Sequence, residues 1–184
     1  MSARTETAWN LDPAHSVAEF KVRHMMISNV KGRFTGISGV LHLDEAAVEN
    51  SRVEASIDAA SLGTGDARRD AHLRSADFFD VEKFPALTFR STGVTRKAGG
   101  ELALAGELTI HGVTREVTLA VEGPTAPARD PWGMTRIGVS ARTTIHRKDF
   151  GLSWNATLET GGILVGEEVA ITLELEFVKA EAVQ

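Results

Sequence analysis

The chain has six histidines (His15, His24, His42, His72, His111 and His146) and no cysteine. Without Cys there is no disulfide, no thiolate metal site and no Cys nucleophile. No histidine belongs to a zinc-protease helix pair, and none neighbours a carboxylate at a recognised ligand spacing, so no metal site is expected. Asp12, His15 and Ser16 supply the residue types of a hydrolytic triad. A triad is defined by three-dimensional geometry, however, and the chain has no G-x-S-x-G nucleophile elbow. Asp12-Pro13 followed by Ala14-His15-Ser16 reads instead as a turn leading into a strand. The glycines stand singly or in turn pairs and build no phosphate loop. Acid pairs such as Asp77 and Asp80 read as caps or turn formers. No catalytic residue and no cofactor is assigned.

One segment joins charge to aromatic rings. Arg68, Arg69, Asp70, His72, Arg74 and Asp77 run directly into Phe78, Phe79, Phe84 and Phe89, half of the eight phenylalanines. A polar helical turn entering an aromatic corner suits the mouth of an apolar cavity, with charge at the rim and rings inside. The plainer alternative is a solvated helix face with Leu73 packed inward and the rings in a core. His24 falls in the inward register of its strand, as a hydrogen-bonded core or rim histidine or as a ligand contact. Met25 and Met26 beside it read as flexible fillers.

Strand periodicity must position these residues. Ala18, Phe20 and Val22 alternate with charged neighbours over Val17 to His24. The same alternation runs over Ser51 to Asp58, Glu116 to Glu122, and Val169 to Phe177. Less regular strands are expected over Gly39 to Asp44, Leu87 to Ser91, Leu102 to His111 and Thr135 to Ile145. Asp66 to Ala76 reads as a helix and Arg147 to Phe150 as a single turn. About eight strands with one apolar face each predict an all-β antiparallel domain, either a sandwich or a closed barrel. Composition is equally compatible with a filled interior and a hollow one.

At 184 residues with 42% hydrophobic side chains, a single domain with a substantial core is expected. Residues 1–8 and 179–184 read as flexible tails around a domain at 9–178. The net charge is −5. Arg and Lys are spread along the chain, so no nucleic-acid stripe and no polybasic lipid-headgroup cluster is evident. No apolar run approaches the roughly 20 residues of a membrane span, and stable membrane insertion is not expected. The amino terminus shows no signal-peptide core, which predicts a cytoplasmic protein.

Five ordered segments resemble one family. They are D-P-A-H-S-V-A-E-F-K-V-R-H-M (12–25), G-R-F-T-G-I-S-G-V-L-H-L-D (32–44), R-D-A-H-L-R-S-A-D-F-F-D-V-E-K-F-P (69–85), G-E-L-T-I-H-G-V-T-R-E-V-T-L (106–119) and R-K-D-F-G-L (147–152). Together they are similar to the YceI-like polyisoprenoid-binding family, over Trp9 to Phe177. The resemblance implies an extended eight-stranded antiparallel lipocalin-like β-barrel with one short helix near a barrel end. It also implies a long tunnel for an isoprenoid chain or similar amphiphilic lipid. Members are often homodimers and often exported to the periplasm, whereas this chain shows no export signal. The family carries no settled catalytic residues to transfer.

On that basis the inward registers nominate Phe20, Val22, Phe34, Leu41, Ile57, Phe89, Leu108, Val117, Leu119, Ile137, Val139, Leu173 and Leu175 as tunnel wall. His24, Arg74, Phe78, Phe79, Phe84, Phe150 and Trp154 are nominated for its mouth. Each buried methylene contributes about 0.8 kcal/mol, so a tail of about 20 carbons gains on the order of 15 kcal/mol before association costs of several to about 15 kcal/mol. The expected function is non-catalytic binding, storage or transport of an isoprenoid quinone, its precursor or a related lipid. Two alternatives stand beside it. One is an enzyme acting on a lipid headgroup through His24, His72 or Asp70. The other is a filled barrel that binds a protein through Ala126 to Met134.

Overall fold

The computed structural model describes residues 6–181. Twelve strand segments follow in chain order, interrupted by one helix. They are β1 (Glu6–Leu11), β2 (Val17–His24), β3 (Ser28–Phe34), β4 (Ile37–Asp44), β5 (Arg52–Asp58), β6 (Leu62–Gly63), then α1 (Ala67–Arg74). After the helix come β7 (Ala86–Arg96), β8 (Leu102–Ile110), β9 (Val113–Glu122), β10 (Ala128–Arg129), β11 (Thr135–His146) and β12 (Val165–Lys179). Every pairing is antiparallel, and β12 closes the sheet by pairing with β11 on one side and with β1 and β2 on the other.

The result is a closed barrel of eight staves in simple up-and-down order. β1 and β2 together form the first stave, broken by the 3-10 turn Pro13–His15. β3 with β4 makes the second and β5 with β6 the third, because β2 pairs β3, β1 pairs β4, β4 pairs β5 and β3 pairs β6. β7, β8, β9, β11 and β12 are the remaining five. Closure leaves no open sheet edge around the ring. β10 only brackets the start of β11.

Each expected strand falls within one stave, save that Ser51 and His111 lie one residue outside theirs; the helix expected over Asp66 to Ala76 is α1 with Asp66 as its cap, and the expected single turn is a 3-10 turn at Arg147–Phe150. The pieces absent from the sequence reading are β1, β3, β6 and β10. In β3 the inward positions are Val30, Gly32 and Phe34, so a glycine interrupts the apolar alternation. Residues 6–8, read as tail, belong to β1 and pair with Leu43, Asp44 and His42 of β4. β12 likewise runs one residue past 178, to Lys179. Ala180 and Glu181 follow without strand structure, and residues 1–5 and 182–184 of the expected tails lie outside the described residues.

Buried side chains gather toward the two barrel ends and in a smaller cluster of Leu102, Leu119, Val121 and Ala141 where β8, β9 and β11 adjoin. Trp9, Ile137 and Phe177 are buried where β1 and β11 flank the end of β12. At the opposite end Leu62, Phe78, Phe150 and Leu152 are buried beneath α1 and the Arg147–Phe150 turn. α1 starts cleanly because the Asp66 carboxylate accepts from the backbone N–H groups of Arg68 and Arg69, which lack intrahelical partners. Among the described residues no helix is long and apolar enough to cross a membrane.

Candidate functional site: an apolar lumen capped by a helix

The staves enclose a cavity of about 410 Å³, within the range of small-molecule sites. Its lining along β12 runs from Val165 to Phe177. At about 3.3 Å per residue and a typical barrel tilt, that length corresponds to roughly 30 Å along the axis. Inward side chains in mid-strand, including Phe20, Leu41, Ile57, Leu108, Val117, Leu173 and Leu175, are only partly buried. A filled barrel would bury them through contact across the axis. Here they face one another across open space.

Two glycines explain how aromatic side chains can line this space without blocking it. Gly32 lies directly opposite Phe20 on the neighbouring strand, and a Cβ on Gly32 would sit 2.3 Å from the Phe20 ring. Gly106 lies diagonally across the ladder from Phe89, facing Ser91, and a Cβ there would again sit 2.3 Å from the ring. Each ring folds back over bare backbone and lies along the wall. A side chain at either glycine would push the ring toward the axis.

The helix end carries a linked set of rings. His72 of α1 stacks edge-on against Phe78 at 5.1 Å and Trp154 at 4.6 Å. Phe79 meets Phe34 at 5.7 Å, and Phe34 meets Phe20 at the same distance. Aromatic contacts therefore run from the cap down the inner wall. His72 Nε2 also lies 2.8 Å from Asp77 Oδ2, which fixes the ring. Arg69 lines the cavity too, with Nε donating to Thr64 Oγ1 and an NH2 group donating to the Thr64 carbonyl.

Arg147 is the most committed polar group of the site. Only 3% of it is exposed, yet it lines the cavity. Its guanidinium donates to the carbonyls of Gly166, Leu152, Trp154 and Val165 at 2.6 to 3.1 Å. Burial pushes its pKa below the ordinary arginine value, and the charge of Glu167 acts in the opposite sense. Glu167 itself pairs with Lys148. Arg147 thus ties the loop after the 3-10 turn to the first residues of β12, closing the barrel floor beside Trp154.

All nominated wall and mouth positions line the cavity except Ile137, Arg74, Phe84 and Phe150. Ile137 is 2% exposed and sits in the packed end with Phe177. Arg74 turns away, donating to the Ala60 and Leu62 carbonyls. Phe84 stacks on His111 at 4.7 Å and covers Gly112. Phe150 is 1% exposed beneath the 3-10 turn. Sequence reasoning passed over Arg147 as a cavity residue. The inward register Ile137, Val139, Ala141, Thr143, Ile145 continues to position 147, and that parity was the signal.

Of the three groups nominated for headgroup chemistry, His72 and Asp70 have side-chain partners, while His24 lines the lumen. Asp70 Oδ1 accepts from both the backbone N–H and the hydroxyl of Thr64. Asp12 accepts from Ala14 N at the 3-10 turn, and Ser16 Oγ accepts from Glu176 N, as a turn leading into a strand requires. Ligand atoms of Asp12, His15 and Glu176 lie within 4.8 Å of one another outside the lumen. Arg136 already occupies that cluster, donating to Asp12 at 2.6 Å and Glu176 at 2.7 Å.

The sequence profile described as the YceI-like domain matches residues 9–177. A UPF0312 protein of Vibrio cholerae is 41% identical over 139 residues, covering 76% of this chain and 73% of the relative. A UPF0312 protein of Staphylococcus aureus is 35% identical over 171 residues, covering 93% and 97%. Among solved structures, Burkholderia cenocepacia BcnA superimposes with a TM-score of 0.75 at 26% identity, over 90% of this chain and 98% of that one. A polyisoprenoid binding domain from Saccharophagus degradans, implicated in plant cell wall breakdown, superimposes with a TM-score of 0.67 over 95% and 99%. Its 18% identity makes that a likeness of fold.

Proposed function

The chain belongs to the YceI-like domain family, and on that premise we propose that it is a non-catalytic carrier or store for an isoprenoid-type lipid. The tail occupies the lumen and the head rests at the α1 end. The observation that carries this reading is the open apolar space along the axis, kept open by Phe20 and Phe89 lying over Gly32 and Gly106. A tail offers no hydrogen bonds, so its recognition rests on apolar burial and on the length of the space. Of the polar lining residues, His24, Arg69, His72 and Arg147 lie at the α1 end, and Ser51 and Arg52 lie by the start of β5 toward the other. That arrangement suits a small oxygen-bearing head, such as the ring of an isoprenoid quinone or its precursor. The polyisoprenoid-binding neighbour supports the same ligand class.

The test is solvent extraction of freshly purified protein, followed by mass spectrometry of the extract. One dominant prenyl-chain species near one per barrel is the expected result. A mixture of fatty acids at low occupancy, or no lipid at all, contradicts it.

A further inference from the structure

The β2–β3 hairpin ends in an exposed apolar tip. Met25, Met26 and Ile27 are 40%, 58% and 74% exposed, and they follow one another without a break. Met25 and Met26 both have positive φ, at 50° and 64°. Unbranched non-glycine residues pay for that conformation, so the tip holds two large apolar side chains in solvent on a strained turn. Arg23 secures the turn by donating to the Met26 carbonyl, and Met25 N donates to the Leu164 carbonyl across the barrel end.

The outward face behind the tip is basic. Lys21, Arg23, Lys31 and Arg33 occupy the outward register of the two strands and are exposed. Lys21 lies directly opposite Lys31, a like-charge pair that weakens a ladder. Among the described residues, none of the four forms an ion pair, whereas Arg52, Arg90, Arg96, Arg136, Arg142 and Lys148 all do. Glu19, opposite Arg33, is the one carboxylate on this hairpin face. The four cations fall between positions 21 and 33, on two consecutive strands. Strand pairing sets all four on the outward face of this hairpin.

The hairpin also borders the cavity. His24 on one side, and Leu164 and Val165 on the other, line the lumen. An apolar tip, a basic collar and the adjoining cavity end occur on one element. We propose that this hairpin docks the barrel onto an anionic lipid surface, with Met26 and Ile27 entering the headgroup region and the four cations meeting lipid phosphates. Docking here sets the α1 end of the lumen against the membrane, where a lipid can pass between the two. Partition of apolar side chains into the interface and attraction of cations to an anionic leaflet act together in such contacts.

The test is co-sedimentation of purified protein with vesicles of phosphatidylcholine alone and of phosphatidylcholine mixed with phosphatidylglycerol. Binding is expected to the anionic vesicles and to fall with salt. Lys21→Glu with Lys31→Glu is expected to weaken it by more than about tenfold, since each basic residue contributes on the order of 1 kcal/mol near such a surface. Met26→Ser with Ile27→Ser is expected to weaken it at low and high salt alike. All four positions lie outside the cavity lining, so lipid content after extraction should match the parent protein. That readout separates failure of docking from failure of lipid binding. Equal binding to both vesicle types, unchanged binding of the charge-reversed protein, or loss of a homodimer by the tip variant without change in vesicle binding would each overturn the proposal.

Discussion

Replacing Arg147 removes four hydrogen bonds at once and takes this donor from the carbonyls of Leu152, Trp154 and Gly166, while Val165 keeps the Asn155 amide. Each buried unsatisfied group costs roughly 1–3 kcal/mol. Arg147→Met should therefore lower the unfolding free energy by at least about 3 kcal/mol in denaturant titrations. Arg147→Lys should recover little, because an ammonium cannot reproduce the planar fork that reaches four acceptors. Full stability in Arg147→Lys would show that charge alone is what the site requires. A second residue-scale prediction concerns acid. The Arg136 guanidinium, with His15 assisting, holds Asp12 down to about 2 from an ordinary 3.8. A carboxylate depressed in the folded state contributes fully above its unfolded pKa and is lost as pH falls through the folded one. Stability should decline from about pH 4 toward pH 2, and Arg136→Met should flatten that decline while lowering stability at neutral pH. An unchanged pH profile in Arg136→Met would contradict this assignment. Of these residues, the Asp12 turn was legible from Asp-Pro chemistry alone. Arg136 was not, since its partners lie up to 124 positions away.

At the scale of the element, the glycine gaps decide whether the barrel is open. Gly106→Val places a branched side chain where the Phe89 ring now lies. The ring should swing toward the axis, and the bound lipid per barrel should drop severalfold while the far-ultraviolet circular dichroism stays that of a β-protein. Retention of the full lipid complement would mean that Phe89 does not govern the lumen. The same two glycines show why this region was hard to read. Strand alternation exposed the staves clearly in β2, β5, β9 and β12, where at least three successive inward positions are apolar. β3 escaped notice because its middle inward residue is Gly32, a position chosen for the ring above it and invisible to hydrophobic periodicity. Which inward residues pack at the ends and which line the void was equally hidden. Ile137 and Val139 share a strand and a face, and only the closing geometry separates them.

For the whole molecule, the closed ring of eight staves, the buried ends and the partly exposed middle are one arrangement. Closure removes edges, the ends supply the packed core, and the midsection is left free for a ligand. α1 with its Phe78–His72–Trp154 rings covers the end that holds Arg69 and Arg147. The eight staves follow from sequence periodicity, and the choice of barrel over sandwich came from five ordered segments, not from composition. The most direct test of the hollow lumen is binding of a homologous series of prenyl alcohols to delipidated protein, measured by calorimetry or by displacement of a fluorescent lipid. Affinity should climb with each added isoprene unit, by up to about 0.8 kcal/mol per buried carbon before ordering costs, and then level off once the chain fills the roughly 30 Å space. Affinity independent of chain length from the shortest member onward would contradict an axial tunnel.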